Sequence, residues 1–222
     1  MKRLFVYLVF LIILASTSSF AQEYPVEVQK YLKPGNYINS DHPDIIVKVK
    51  ELVGDEKDVV KKAKILFEFV RDEIHEKVDI DSYVASDILA KRIGVCYHKA
   101  ILLAALARAA GIPARLHFDE VFIKGFKDKN GILWNTNGLH GITGLYLNGK
   151  WLTYDGIGTL ERWKIWMGDD PVTIKLPLEF SAEHDVLFPS VGRVALKKTP
   201  QKLFDHDMNE KKRICKLYGI EY

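Results

Sequence analysis

Residues 94–115 read GVCYHKAILLAALARAAGIPAR, and the fold is decided there. Within residues 100–110 only Arg108 is not apolar, and a helix apolar nearly all round belongs inside a protein. Gly111 supplies a C-terminal stop and Pro113 forbids continuation. Gly94, just ahead, is expected to let the backbone turn sharply into the helix. The stretch is therefore expected to be a central helix on which the other elements pack.

Working outward, residues 115–123 read as a strand from their β-branched and aromatic content, and a loop with Gly125, Asp128, Asn130 and Gly131 follows. Residues 139–147 and 150–155 flank Asn148-Gly149, a dipeptide suited to the positive φ angles of a type I′ turn, so a hairpin is expected. Upstream, Val59, Ala63, Leu66, Phe67, Val70 and Ile74 recur every three or four places across residues 58–76, the pattern of a surface helix with one buried face. Ser86 or Asp87 is expected to cap a short helix through Leu89 that ends near Gly94. Beyond Asp155 the pattern weakens to a strand around 172–176 and a basic helix over about 201–217. Helices first and antiparallel strands after make the class α+β.

The chain has 222 residues, 48% hydrophobic and 27% charged, which excludes disorder and collagen-like fibre. Residues 4–14 (LFVYLVFLIIL) are unbroken hydrophobics behind Lys2 and Arg3, and Ser19-Phe20-Ala21 offers a small-x-small cleavage site. Residues 1–21 are expected to be a signal peptide, residues 22–44 an irregular arm, and residues 45–222 one domain. An eleven-residue apolar run is short for a bilayer span, so the mature chain is expected to be secreted or held in the periplasm or cell envelope without stable membrane insertion. Gln22 offers no cysteine for a lipid anchor; an uncleaved N-terminal anchor is the alternative. The formal charge of +3 loses Lys2 and Arg3 on cleavage and stands at +1, which names no partner and no nucleic acid. Asp205-His206-Asp207, His184-Asp185 and Asp79-x-Asp81 contain ligand types, but no spacing gathers three or four of them, so no metal or cofactor is expected.

Cys96 stands where the chain enters the central helix. The first turn of a helix presents unpaired N–H groups and the positive end of its dipole, which favour thiolate over thiol. Those N–H groups also suit the oxyanion that forms when a thiolate attacks an acyl carbon. The competing reading is a buried structural cysteine, or a bridge from Cys96 to Cys215.

A thiolate nucleophile needs a base and a group to orient it. Seven histidines compete. His98 is nearest, but two residues along a helix rotate it by about 200° away from Cys96. His42 and His75 lie in the polar first half, His184 and His206 in the weakly patterned tail, and His117 is equally a core residue. His140 has a geometric argument. If Asn148-Gly149 is a two-residue turn, Leu147 faces Lys150, Ile142 faces Asp155, and Asp155 is diagonal to His140 on one sheet face. A carboxylate so placed can hold one imidazole nitrogen and leave the other for Cys96. A one-residue slip of the pairing would part them.

These residues resemble the transglutaminase-like superfamily of papain-type thiol enzymes. The likeness rests on Ser86-Asp87-Ile88-Leu89, Gly94-Val95-Cys96, the run into Arg108-Ala109-Ala110-Gly111-Ile112-Pro113-Ala114-Arg115, the His140 strand and Asp155, over roughly residues 58–160. It implies a papain-like α+β core with the cysteine on the central helix, and the triad Cys96, His140 and Asp155. Where the family often has a small residue and then an aromatic one after the histidine, Gly141 and Ile142 stand here, so any aromatic part of the cleft is expected from Trp134 or Trp151. Members of the superfamily transfer glutamine carboxamides to amines, hydrolyse amides, or have lost activity. The expected function is hydrolysis of a peptide or carboxamide bond through a thioester, on a peptide or protein substrate such as cell-envelope peptide. Transglutaminase-type amine transfer and an inactive binding module are the alternatives.

Overall fold

A computed structural model of the chain describes residues 23–77, 80–127, 133–156 and 192–194, with side chains at 23–77, 80–117 and 140–156. The expected signal peptide, the expected strand around 172–176 and helix over 201–217, and Asp79, Asp128, Asn130, Gly131, His184, Asp185, Asp205, His206, Asp207 and Cys215 lie outside the described residues.

The arm is not wholly irregular, because it carries a short helix α1 (Val26–Gln29) continued by a 3-10 turn (Lys30–Leu32). Helix α2 (Pro43–Val53) follows, a helix that the reading of residues 22–44 as an arm overlooked. Its signals are conventional: His42 caps it by accepting the Asp44 N–H, Pro43 occupies the first turn, and Ile45, Val49 and Val53 bury one stripe. Helix α3 (Val59–Glu73) starts at Asp58, whose carboxylate accepts the N–H groups of Val60 and Lys61, and it buries Ala63, Leu66, Phe67 and Val70.

Helix α4 (Ala85–Lys91) departs from expectation at its N-terminal cap. Ser86 and Asp87 do not cap it; Ser86 instead exchanges hydrogen bonds with Asn39, and the cap position is Val84. The helix stops at Arg92, which takes the left-handed conformation at φ 55°, two residues before Gly94.

Helix α5 (Cys96–Ala109) is the central helix, buried from Tyr97 through Ala107. It ends in a Schellman motif: Gly111, at φ 80°, donates to the Arg108 carbonyl and Ile112 to that of Ala107. Gly94 has a different use from the one expected. A Cβ there would lie 2.5 Å from the Cβ of His98, so glycine is required for that side chain to fold back over the helix entry.

Strands β1 (Ala114–Lys127), β2 (Leu133–Leu147), β3 (Lys150–Tyr154) and β4 (Gly192–Val194) pair antiparallel in the order β3-β2-β1-β4. At Gly125 the expected loop is instead strand, with a register break inside β1 between Ile123 and Phe126, and its other named residues lie outside the described ones. A glycine in a strand often marks such a bulge. Asn148 and Gly149 take φ of 50° and 79°, the type I′ turn, and the register from Leu147↔Lys150 to Thr143↔Tyr154 is the expected one. The structure is therefore α+β, a buried helix on an antiparallel sheet.

Two contacts fasten β2 to α5. Thr143 donates its hydroxyl to the Ala100 carbonyl at 3.0 Å, and Gly141 lies against the backbone of Tyr97, where a Cβ would come within 2.6 Å of Cα. The N-terminal arm is tied to the other end of α5, by Tyr24 Oη to the Gly111 carbonyl and Arg108 to the Lys33 carbonyl. At 1.5 Å per residue, that end is about 20 Å from Cys96.

Candidate active site

Cys96 is the first residue of α5, a free and half-buried cysteine. Three backbone hydrogen bonds locate it. The Gly94 N–H donates to the His75 carbonyl at 2.9 Å, the Val95 N–H to Nδ1 of His98 at 3.2 Å, and the Lys99 N–H to the Val95 carbonyl at 3.0 Å.

His140 reaches Cys96 because Gly141 lets β2 touch the first turn of α5. Its Nε2–H donates to Oδ2 of Asp155 at 2.9 Å, with both side chains almost wholly removed from solvent. With Nε2 so engaged, Nδ1 is the ring nitrogen left for the sulfur. Burial alone would push the ring toward its neutral form. The Asp155 carboxylate, the Cys96 sulfur and hydrogen bonds to both outweigh it and hold the imidazolium well above the ordinary histidine range. The three side chains read from the sequence are thus brought to one place, and the hairpin register places Asp155 one residue past Tyr154, diagonal to His140.

The other described histidines are accounted for differently. His42 caps α2, His75 forms a backbone bridge with Ile93, His117 accepts from Arg115 Nε at 2.7 Å, and His98 accepts from Val95. Trp151 does not border the site. It packs on Tyr31 and Tyr146 and under the Arg115 guanidinium, opposite Tyr146 in the sheet. Six residues of strand, about 20 Å, separate that pair from His140. The Trp134 side chain is outside the described ones. Among the described residues, no three His, Cys, Asp or Glu side chains gather where a metal ion would sit. No helix among them is long and apolar enough to cross a membrane.

Sequence reasoning missed Lys99, one turn beyond Cys96. It is fully buried, and its ammonium donates to Glu76 at 2.6 Å and to the Arg71 carbonyl at 3.3 Å, while its stem passes the Gly156 backbone next to Asp155. Glu76 keeps part of its surface in solvent, so losing Lys99 strands its charge only in part. Lys99→Met is expected to lower the unfolding free energy in urea by about 1–3 kcal/mol, and adding Glu76→Leu should restore part of it.

A sulfur at the head of a buried helix, an imidazole beside it and a carboxylate behind the imidazole are the groups that nucleophilic thiol chemistry requires. Residues 48–156 match the family model of the transglutaminase-like superfamily. That segment, which carries all three side chains, belongs to the superfamily. Among solved structures, a candidate cysteine protease from Cytophaga hutchinsonii is similar at 23% identity and a TM-score of 0.50, over 61% of this chain and 43% of that one. The periplasmic domain of TgpA from Pseudomonas aeruginosa is similar at 20% identity and a TM-score of 0.45, over 61% of this chain and 48% of that one. The chain therefore spans less than half of either structure. No curated protein sequence matches it.

Proposed function

We propose that the chain is an exported thiol enzyme that hydrolyses a peptide or carboxamide bond, with Cys96 as nucleophile, His140 as base and acid, and Asp155 as the group that orients His140. The observation that carries this reading is the imidazole bonded to Asp155 at 2.9 Å, with the Cys96 sulfur near enough to help hold its proton. Residues 1–21, with their basic start and apolar run, support export.

In the reaction His140 takes the thiol proton, and its raised pKa favours holding that proton as imidazolium. The sulfur attacks the carbonyl carbon, and the negative charge gathers on the carbonyl oxygen, for which the Cys96 N–H at the helix head is the nearest backbone donor. As the C–N bond breaks, the imidazolium gives its proton to the leaving nitrogen and a thioester remains. Water then loses a proton to His140 and adds to the thioester. The C–S bond breaks, the carboxylic acid leaves, and the proton returns to sulfur. Cys96 is not fully buried, and hydrolysis needs only water as the acceptor.

The test is to incubate the purified mature protein with a peptide library and a labelled amine, and to read products by mass spectrometry. Cleaved or deamidated peptides are expected, and Cys96→Ala should abolish them. Amine incorporation as the main product would replace hydrolysis by transglutaminase-type transfer. No change in any channel would favour a binding module on the same fold.

A further inference from the structure

We propose that His98 is a positioning residue for Cys96, doing at the third position of α5 what a Glu or Gln does in a capping box. The inference rests on the reading of Cys96 as nucleophile and assigns a role to a histidine which that mechanism leaves unused. The Val95 N–H, directly before the cysteine, donates to Nδ1 of His98 at 3.2 Å. The ring is buried and stacked on Tyr83 with centroids 4.9 Å apart and planes 22° apart, and it lies against Tyr97 at 4.7 Å. It has no room to swing away. Gly94 completes the fit, because any side chain there would collide with His98 Cβ.

Cys96 is thereby held from both flanks. Val95 is fixed by His98 through its N–H and by Lys99 through its carbonyl, while Tyr97 is pressed by Gly141 of β2. A carboxylate at the His98 position would also satisfy Val95, but it would set a negative charge within a turn of a sulfur that must become negative. A neutral imidazole supplies the acceptor without that charge, and stacking removes the side-chain freedom that Gln would have to lose. The arrangement requires Nδ1 of His98 to be unprotonated.

The test is the iodoacetamide labelling rate of Cys96 at neutral pH, in the wild type and in His98→Gln, His98→Leu and His140→Ala, with thermal melts on each. His98→Gln, which keeps an acceptor at that position, is expected within about threefold of wild type, and His98→Leu at least about tenfold slower while still folded. A His98→Leu protein that melts earlier but labels at the wild-type rate when folded would show a merely structural role and overturn the inference. Nitrogen NMR of the wild-type ring decides even if His98→Leu does not fold. An unprotonated Nδ1 is expected, and a protonated one would overturn the proposal. An unlabelled wild-type Cys96 would count against the thiol reading itself, and an unslowed His140→Ala against the base assignment alone.

Discussion

With His140 replaced by alanine, turnover of any amide substrate is expected to fall by about 10² to 10⁴-fold, the range for loss of a positioned acid–base group. Iodoacetamide labelling of Cys96 near neutral pH should slow with it, since no neighbouring ring then takes the thiol proton. Asp155→Asn should reproduce most of the loss. Its amide can offer Nε2 a donor where the carboxylate offers only an acceptor, and so it permits the wrong tautomer. The measurement is a pair of rate profiles, one for turnover and one for labelling. Unchanged labelling in His140→Ala would remove His140 from the mechanism.

The same side chain predicts a pH dependence of stability. The folded protein holds the His140 imidazolium above the ordinary histidine range, through Asp155 and Cys96 and against the effect of burial. The folded state therefore binds the proton more tightly than the unfolded chain does. This contribution is fully present below about pH 6.5, the unfolded value, and is lost as pH rises through the folded pKa. Urea unfolding at a series of pH values should show wild type and His140→Ala drawing together on the alkaline side. A constant gap would mean that His140 contributes packing only.

Gly141→Ala is the second substitution with a large expected effect. The new Cβ would stand 2.6 Å from Tyr97 Cα, 2.7 Å from its Cβ and 3.0 Å from its N. Two of those three atoms are helix backbone, so no rotamer change relieves the clash, and β2 must move off the head of α5. Overpacking of this kind costs roughly 1–3 kcal/mol. Activity should suffer more than stability, because a 1 Å displacement of His140 from Cys96 can cost about 10²-fold. A folded Gly141→Ala protein with wild-type labelling and turnover would mean that the approach of strand to helix is not what sets the site. Ordinary surface substitutions fall within about 0.5 kcal/mol and serve as the baseline.

Much of this arrangement was legible before any coordinates. The Ala- and Leu-rich run into Gly111 reads as a buried helix because no face of it is polar. Asn148-Gly149 reads as a type I′ turn because both residues accept positive φ, and that turn alone fixes the register that sets Asp155 diagonal to His140. Helix α2 has local signals too, with Pro43 in its first turn and apolar residues at 45, 49 and 53, but the prolines and polar residues before it give residues 22–44 the composition of an irregular arm. The N-terminal cap of α4 is not legible in the local sequence, because Asn39, a residue 47 positions away, engages Ser86.

Sequence by itself determined the elements that depend on neighbours close along the chain: the central helix, its glycine stop, the hairpin and its pairing. It also named Cys96, His140 and Asp155, because a helix head and a two-residue turn are local devices with fixed geometry. Only the tertiary structure decided that Gly141 is the point where strand meets helix, that Gly94 makes room for His98, that Lys99 is buried on Glu76, and that Trp151 stands apart from the site. Each of these depends on which surfaces approach within a few ångströms across long stretches of chain. Periodicity and turn chemistry carry no record of such distances, whereas close packing makes them decisive.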